Sequence, residues 1–368
     1  MKEQLIPLGP MIVDLTGLVL TDEDRRRLKH PMAGGVILFG RNFKSRAQVS
    51  KLIRAIRAVR PNIIISVDHE GGRVQRFKTD GFTHLPSMRT LGELYADNPL
   101  HAVKIASQVG YVLAAELRAV GVDYSYTPVL DLDYGGSTVI GDRAFSPSAE
   151  VVAMLAKALL HGMLRGGMVG CGKHFPGHGF VVADSHVDMP VDQRSLKRIL
   201  SDDVLPYAAL TQDLGAVMPA HVIYPKVEPS PAGFSKIWLG ILREQLQFHG
   251  AIVTDDLSMA GAAMIYPDPV QRVRAALDAG CDMAMVCNRP QDLDVALDGL
   301  PKNYLRRTQN KVNARRINGL RGRGVALGWN DLQKDADFQS ARRTIALYIR
   351  NADGQVVADP TEIMLKKR

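Results

Sequence analysis

Residues 104–133 read KIASQVGYVLAAELRAVGVDYSYTPVLDLD. The first half spaces its apolar residues along one face of a helix, and the second half is an apolar, β-branched and aromatic run with aspartates at its end. Gly121 stands between them, where a helix ends on a residue with positive φ before a strand begins. This unit recurs. Strand-like runs are expected at Met11–Leu15, Gly35–Phe39, Ile63–Asp68, Val122–Asp133, Val169–His174, Ala216–His221, Ala251–Asp255 and Asp282–Cys287. Helical patterns lie between them at Arg46–Val59, Ala102–Val120, Glu150–Leu164, Leu196–Leu210, Ile237–Gln247 and Val270–Ala279, with Gly166, Gly215, Gly250 and Gly280 also expected to end helices. Apolar strands alternating with helices mean a parallel sheet covered on its faces. Eight repeats predict an α/β fold, a closed (β/α)8 TIM barrel forming a single domain, rather than an open doubly wound sheet. The first βα loop, DLTGLVLT, lacks a dinucleotide fingerprint, and no phosphate-binding P-loop pattern occurs. Residues 1–330 are read as the barrel catalytic domain and 331–368 as a C-terminal helical extension (Asp335–Arg350) with a polar tail.

The 368 residues, 46% hydrophobic and 23% charged, suit a large globular core. No basic-then-apolar leader opens the chain, and no run reaches ~18 apolar residues, so neither a signal peptide nor a membrane span is expected. Cys171, Cys281 and Cys287 are odd in number and lack C-x-x-C spacing, which fits reduced, buried thiols in a cytoplasm. The net charge of +8 draws on the stretch 302–323, with eight Lys/Arg and no acid. A basic stretch can bind nucleic acid or an anionic membrane surface, but with one aromatic and no recognition motif it reads as a solvated helix face; steering of an anionic substrate is the next reading.

The barrel places its site at the carboxyl ends of the strands. Asp68, Asp131, Lys173, His174, His221 and Asp255 therefore converge on one rim. Any one strand-end aspartate is as readily a cap or loop ligature, but six such groups argue for a site. Asp255, short and on a rigid strand end, is a nucleophile candidate, whereas Asp256 is expected to cap the next helix. Residues 166–179 hold six glycines and read as a loop able to move, with Gly177 to Gly179 as a flexible elbow and His178 structural. Beyond it, Asp184 and His186 stand two apart, so in an extended segment the carboxylate can approach the imidazole and stabilise its cation. Such a pair can give and then take a proton near neutral pH; a surface turn is the competing reading.

Four motifs together resemble glycoside hydrolase family 3, in its branch of single-domain bacterial β-N-acetylglucosaminidases of cell-wall recycling. They are K-H-F-P-G-H-G-x4-D-S-H (Lys173 to His186), V-D-x-E-G-G-R-V-Q-R (Val67 to Arg76), G-D-R-x-F-S (Gly141 to Ser146) and T-D-D-L-S-M (Thr254 to Met259). They fall in the family's order, and the likeness runs from about Leu8 to Gly328. The resemblance implies a TIM barrel that removes terminal β-linked N-acetylglucosamine with retention. It makes Asp255 the nucleophile and His186 the acid/base assisted by Asp184, with Asp68, Arg76, Arg143, Lys173 and His174 holding the sugar. It also implies a small-molecule substrate, N-acetylglucosaminyl-1,6-anhydromuramyl peptides, handled in the cytoplasm. No metal, cofactor or nucleic-acid partner is expected, and a monomer is the expected state. His69 stands where the family usually has glutamine, which bears on a hydrogen bond near Asp68. The Trp that follows the nucleophile in the family's β-glucosidases is here Asp256, and no second domain supplies an acid.

Two other classes stay open on the residues alone. A metal-dependent barrel hydrolase could draw on His174, His178, His186, His221, Asp184 and Asp255, although strand one lacks the H-x-H such barrels place there. A non-catalytic muropeptide-binding or nucleic-acid-binding barrel is the other. Within the enzyme reading, a histidine acid leaves room for phosphate as acceptor, because no second carboxylate repels it.

Overall fold

The computed structural model describes residues 6–182 and 189–349. Eight strands form the centre: β1 (Met11–Asp14), β2 (Ala33–Leu38), β3 (Ile64–Val67), β4 (Tyr124–Ser125), β5 (Gly170–Phe175), β6 (Leu214–Pro219), β7 (Ala251–Asp256) and β8 (Met283–Met285). They pair in parallel in the order β4-β3-β2-β1-β8-β7-β6-β5. Residues just past β4 close the ring. Val129 bridges Lys173, and the Cys171 and Leu130 amides donate to the carbonyls of Thr127 and Lys173 at 2.8 and 2.6 Å. The fold is the expected (β/α)8 barrel.

The strands are mostly apolar up to their carboxyl ends because both faces are covered, by the barrel interior within and the helices outside. Among the helices, Arg46–Val59 forms as predicted, Pro99–Val120 and Ala149–Arg165 slightly exceed their predicted spans, and Pro269–Ala279 begins one residue early. These helices run antiparallel to the strands they follow or precede. Apolar side chains such as Val109, Leu113, Leu117, Leu155 and Leu159 are fully buried between the layers.

Several expectations need correcting. The long run Val122–Asp133 is a two-residue strand followed by irregular chain, because Pro128 brings no N–H to a ladder. Leu196–Leu210 is two short helices, Leu196–Ser201 and Leu205–Leu210, the second carrying Pro206 in its first turn where the missing N–H costs nothing. Ile237–Gln247 is Lys236–Gly240 followed by a π-helical turn, Ile241–Gln245. Gly121 and Gly280 do take positive φ, at 99° and 128°. Gly166 does not, its neighbour Gly167 turning instead at 78°. Gly215 and Gly250 are glycine for lack of room: a Cβ would lie 2.6 Å from Val169 and 2.5 Å from the Gly215 carbonyl oxygen.

Past the barrel, the predicted helix appears as Ala336–Ala346. It buries Phe338, Ala341 and Ile345, with Phe338 edge-on to Tyr111 of Pro99–Val120 at 6.5 Å.

Candidate active site

The carboxyl ends of β3, β5 and β7 open into a cleft of about 710 Å3, counted out to open solvent. Asp68, Arg76, Arg143, Lys173, His174 and Asp255, all expected from the sequence, line it together. Their positions follow from the strands. Asp68 is the residue after β3, Lys173 and His174 immediately precede the last residue of β5, and Asp255 is the penultimate residue of β7. Arg76 is carried back over the rim by an antiparallel ribbon, His69–Gly71 with Val74–Gln75.

Lys173 is buried, and its Nζ lies 2.7 Å from Asp68 Oδ1 and 2.6 Å from Glu70 Oε1. Burial alone would lower its pKa, but Asp68 and Glu70 outweigh it and hold the ammonium charged. Arg76 Nη2 donates to Asp68 Oδ2 at 3.2 Å. Glu70 also grips Arg143 bidentately, at 2.9 Å from Nε and 2.7 Å from Nη2. Burial would push the Glu70 carboxyl up, yet Arg143 and Lys173 together hold it far below the usual range. Two carboxylates and three cations thus form one chain along the cleft wall. Glu70, the acid of the motif Val67 to Arg76, has a role that the motif's spacing does not reveal. It organises Lys173 and Arg143, and its one available signal was an acid beside the strand-end Asp68.

Glu70→Gln removes the carboxylate that Arg143 grips and one of the two that hold Lys173, and is expected to cost about 3–5 kcal/mol, measured by urea unfolding at neutral pH. A carboxyl with a depressed folded pKa stabilises fully above its unfolded value of ~4.3 and loses that contribution as pH falls toward the folded value. The wild-type and variant stabilities should therefore converge in acid. A constant difference down to pH ~2 would contradict the pairing.

On the β5 side, Asp131 faces away from sugar-binding work. Its Oδ2 lies 2.7 Å from His174 Nδ1, and its Oδ1 accepts from the His178 amide at 2.7 Å and the His174 amide at 3.2 Å. The carboxylate therefore orients the His174 ring and leaves its other nitrogen toward the cleft. The His178 ring packs 5.8 Å from that of His174, and burial pushes its pKa down to about 4. His178, read from the sequence as structural, is buried and also lines the cleft. The elbow reading needs correction: Gly177 and Gly179 are buried, and a Cβ on them would lie 2.5 Å from Asp203 Oδ1 and 1.8 Å from the Leu132 carbonyl oxygen. Close packing, not freedom, requires glycine there.

At β7, Asp255 is half-buried and its Oδ1 accepts from the Asp256 amide at 2.7 Å. Burial opposes its charge, but His221, His174, that amide and Lys173 outweigh it and keep the carboxyl below the usual range. His221 itself points sideways, its Nε2 3.1 Å from the Asp256 carbonyl oxygen and its ring stacked on Phe234. Asp256 does not cap a helix; Met259 precedes Ala260–Ala263. Its carboxylate accepts instead from the Ser258 and Cys287 amides and from Asn288 Nδ2, at 2.9, 3.0 and 3.0 Å, and burial raises its pKa to about 6. Asn288, in the left-handed region at φ 61°, also gives its amide to Asp14 and receives Arg41 on Oδ1. This network ties the ends of β1, β7 and β8 behind Asp255, and nothing in the sequence spacing revealed it.

His69 does not reach Asp68. Its buried ring packs against Phe77 and Phe82, 5.9 and 6.5 Å between centroids, and burial lowers its pKa to about 3. Its backbone carbonyl accepts from Ser125 and Thr127. Asp184 and His186 lie outside the described residues. Among the described residues no three His, Cys, Asp or Glu side chains gather as a metal-holding group.

The profile described as the glycosyl hydrolase family 3 N terminal domain matches residues 11–318. The chain belongs to glycoside hydrolase family 3. It is 55% identical to a beta-hexosaminidase of Bordetella avium over 345 residues, covering 93% of this chain and 96% of that one. A beta-hexosaminidase of Thiobacillus denitrificans is 49% identical over 358 residues, 96% and 98% of the two chains. Among solved structures, native NagZ from Neisseria gonorrhoeae superposes with a TM-score of 0.84 at 46% identity, covering 93% of this chain and 98% of that chain. At these identities the family 3 chain is a glycoside hydrolase of the β-hexosaminidase kind. No helix of its described residues is long and apolar enough to cross a membrane.

Proposed function

We propose that this hydrolase removes terminal β-linked N-acetylglucosamine, with retention, from 1,6-anhydromuropeptides in the cytoplasm during peptidoglycan recycling. The observation that carries the reading is that Asp255, its carboxyl held below the usual range, lines the same cleft as Asp68, Arg76, Arg143, Lys173 and His174. Asp255 would attack the anomeric carbon as the glycosidic C–O bond breaks, and His186, held by Asp184, would protonate the leaving oxygen. Water would then attack the anomeric carbon, give its proton to His186 and release Asp255. The paired carboxylates and cations are the groups that hold sugar hydroxyls by charge-assisted hydrogen bonds. The three buried free thiols accord with a reducing compartment. Residues 331–368 would act as an appendage of the barrel rather than a second domain, and the working unit would be a monomer.

Matched aryl β-N-acetylglucosaminide and aryl β-glucoside substrates test the sugar assignment. A preference of at least about 10²-fold in kcat/KM is expected for the amino sugar, because a site built around the acetamido group leaves its polar partners unpaired with glucose. Proton NMR should find the β-anomer of N-acetylglucosamine first, and mass spectrometry should find it released from an anhydromuropeptide. Equal kcat/KM values or first appearance of the α-anomer would remove the reading.

A further inference from the structure

The basic run 302–323 takes no part in the cleft and crosses the opposite, amino-terminal end of the barrel. Its anchors trace the path. Arg316 reaches Asp282 ahead of β8 at 3.5 Å, and Arg321 donates to the Asn62 carbonyl ahead of β3. The Gly322 amide donates to Asp123 ahead of β4 at 3.2 Å, and the Arg323 amide to the Gly167 carbonyl ahead of β5 at 2.8 Å. The run forms two helices, Asn303–Gln309 and Lys311–Asn318. Tyr304, Thr308, Ile317 and Leu320 are its buried side.

The outer side is cationic and partly apolar. Among the described residues, the run's ion pairs are Arg307–Asp278 and Arg316–Asp282. Lys302, Arg306, Lys311, Arg315 and Arg323 are exposed without one. Between and beside them stand Val312, Val325 and Leu327, at 55%, 101% and 48% exposure. On the same face Arg118, Arg165 and Arg323 line a cleft of about 870 Å3 with Leu164 and Leu327.

We propose that this face docks the enzyme peripherally on an anionic phospholipid bilayer, with the cations at the headgroup phosphates and Val312, Val325 and Leu327 at the acyl boundary. Cations interspersed with exposed aliphatic side chains are what such an interface selects. A single-stranded nucleic acid would want exposed aromatic platforms, and the one aromatic of the run, Tyr304, is buried. The catalytic cleft lies at the other end of the barrel, so a docked enzyme keeps its mouth open to the aqueous phase.

Co-sedimentation with vesicles tests this. The full-length protein should bind vesicles of phosphatidylglycerol and phosphatidylcholine at low salt, ignore pure phosphatidylcholine, and release as salt rises. Each basic side chain near the surface contributes about fivefold to binding, so Lys311→Gln/Arg315→Gln/Arg323→Gln should weaken it about a hundredfold. Hydrolysis of a soluble aryl glycoside should be unchanged in that variant. Val325→Ser/Leu327→Ser should weaken binding without altering its salt dependence, which separates insertion from charge even if the triple variant folds poorly. Equal binding to neutral vesicles, full binding by both variants, or tighter retention of a single-stranded RNA than of the anionic vesicles would overturn the proposal.

Discussion

Asp255→Asn is expected to lower kcat/KM by at least about 10⁴-fold, the scale of loss seen when a covalent nucleophile is removed. Asparagine keeps the size of the side chain and the carbonyl that accepts the Asp256 amide, so the end of β7 should stand as before. What it loses is a negative charge that His221, His174, the Asp256 amide and Lys173 hold in place against burial. That arrangement stabilises the anion, the reactive form of a carboxylate nucleophile. In Asp255→Ala, added azide should restore turnover and yield the α-glycosyl azide, because azide enters the space vacated by the carboxylate and displaces the leaving group once. A fold defect would not be repaired that way. Turnover near the wild-type rate in Asp255→Asn would end the nucleophile assignment.

The barrel was legible because the strands are largely apolar runs, several with a polar residue at the carboxyl end, and because buried parallel strands need no alternation. Element ends were less so. Pro128 should have shortened the run Val122–Asp133, yet the chain past it still joins β5 through Val129, so the long apolar pattern reflects burial more than pairing. Glycine was the most misleading letter. Gly215, Gly177 and Gly179 look like turn residues but are places where another side chain or carbonyl comes too close for a Cβ.

The cleft residues were legible for a related reason: a strand end fixes where its side chain goes, so Asp68, Lys173, His174 and Asp255 could be assigned to one rim before any contact was known. Roles set by tertiary partners could not. Glu70 becomes the centre of a charge chain only because Arg143, 73 residues later, folds over it. Asp131 and Asp256 carry the same strand-end signature as Asp255. One is consumed by His174 and His178 and the other by the β8 loop. Sequence spacing does not distinguish a carboxylate with its lone pairs occupied by the protein from one with an oxygen left for substrate.

His186→Ala is expected to lower kcat by about 10²–10⁴-fold on a natural glycoside, and far less on a substrate with an activated aryl leaving group. The asymmetry follows from the chemistry: a poor leaving oxygen needs a proton as its bond breaks, and a nitrophenolate does not. His186 lies outside the described residues, but both flanks are anchored. Phe180 sits under the Arg194 guanidinium at 4.2 Å, and beyond the segment the Pro190 carbonyl and Asp192 amide pair with Ile223, just past β6. A general acid must be protonated in the free enzyme, so kcat/KM should fall on the alkaline side as the imidazolium loses its proton. Asp184 would stabilise that cation, so Asp184→Asn should move the alkaline limb to lower pH, and His186→Ala should abolish it. On the acid side the profile should persist below the ordinary carboxylate range, because Asp255 stays ionised there. Equal losses on both leaving groups, with the alkaline limb unmoved, would mean that the proton comes from another group. Among the described residues that line the cleft, His174 and His178 would then be the ones to replace next, beginning with His174, whose Nδ1 is held by Asp131.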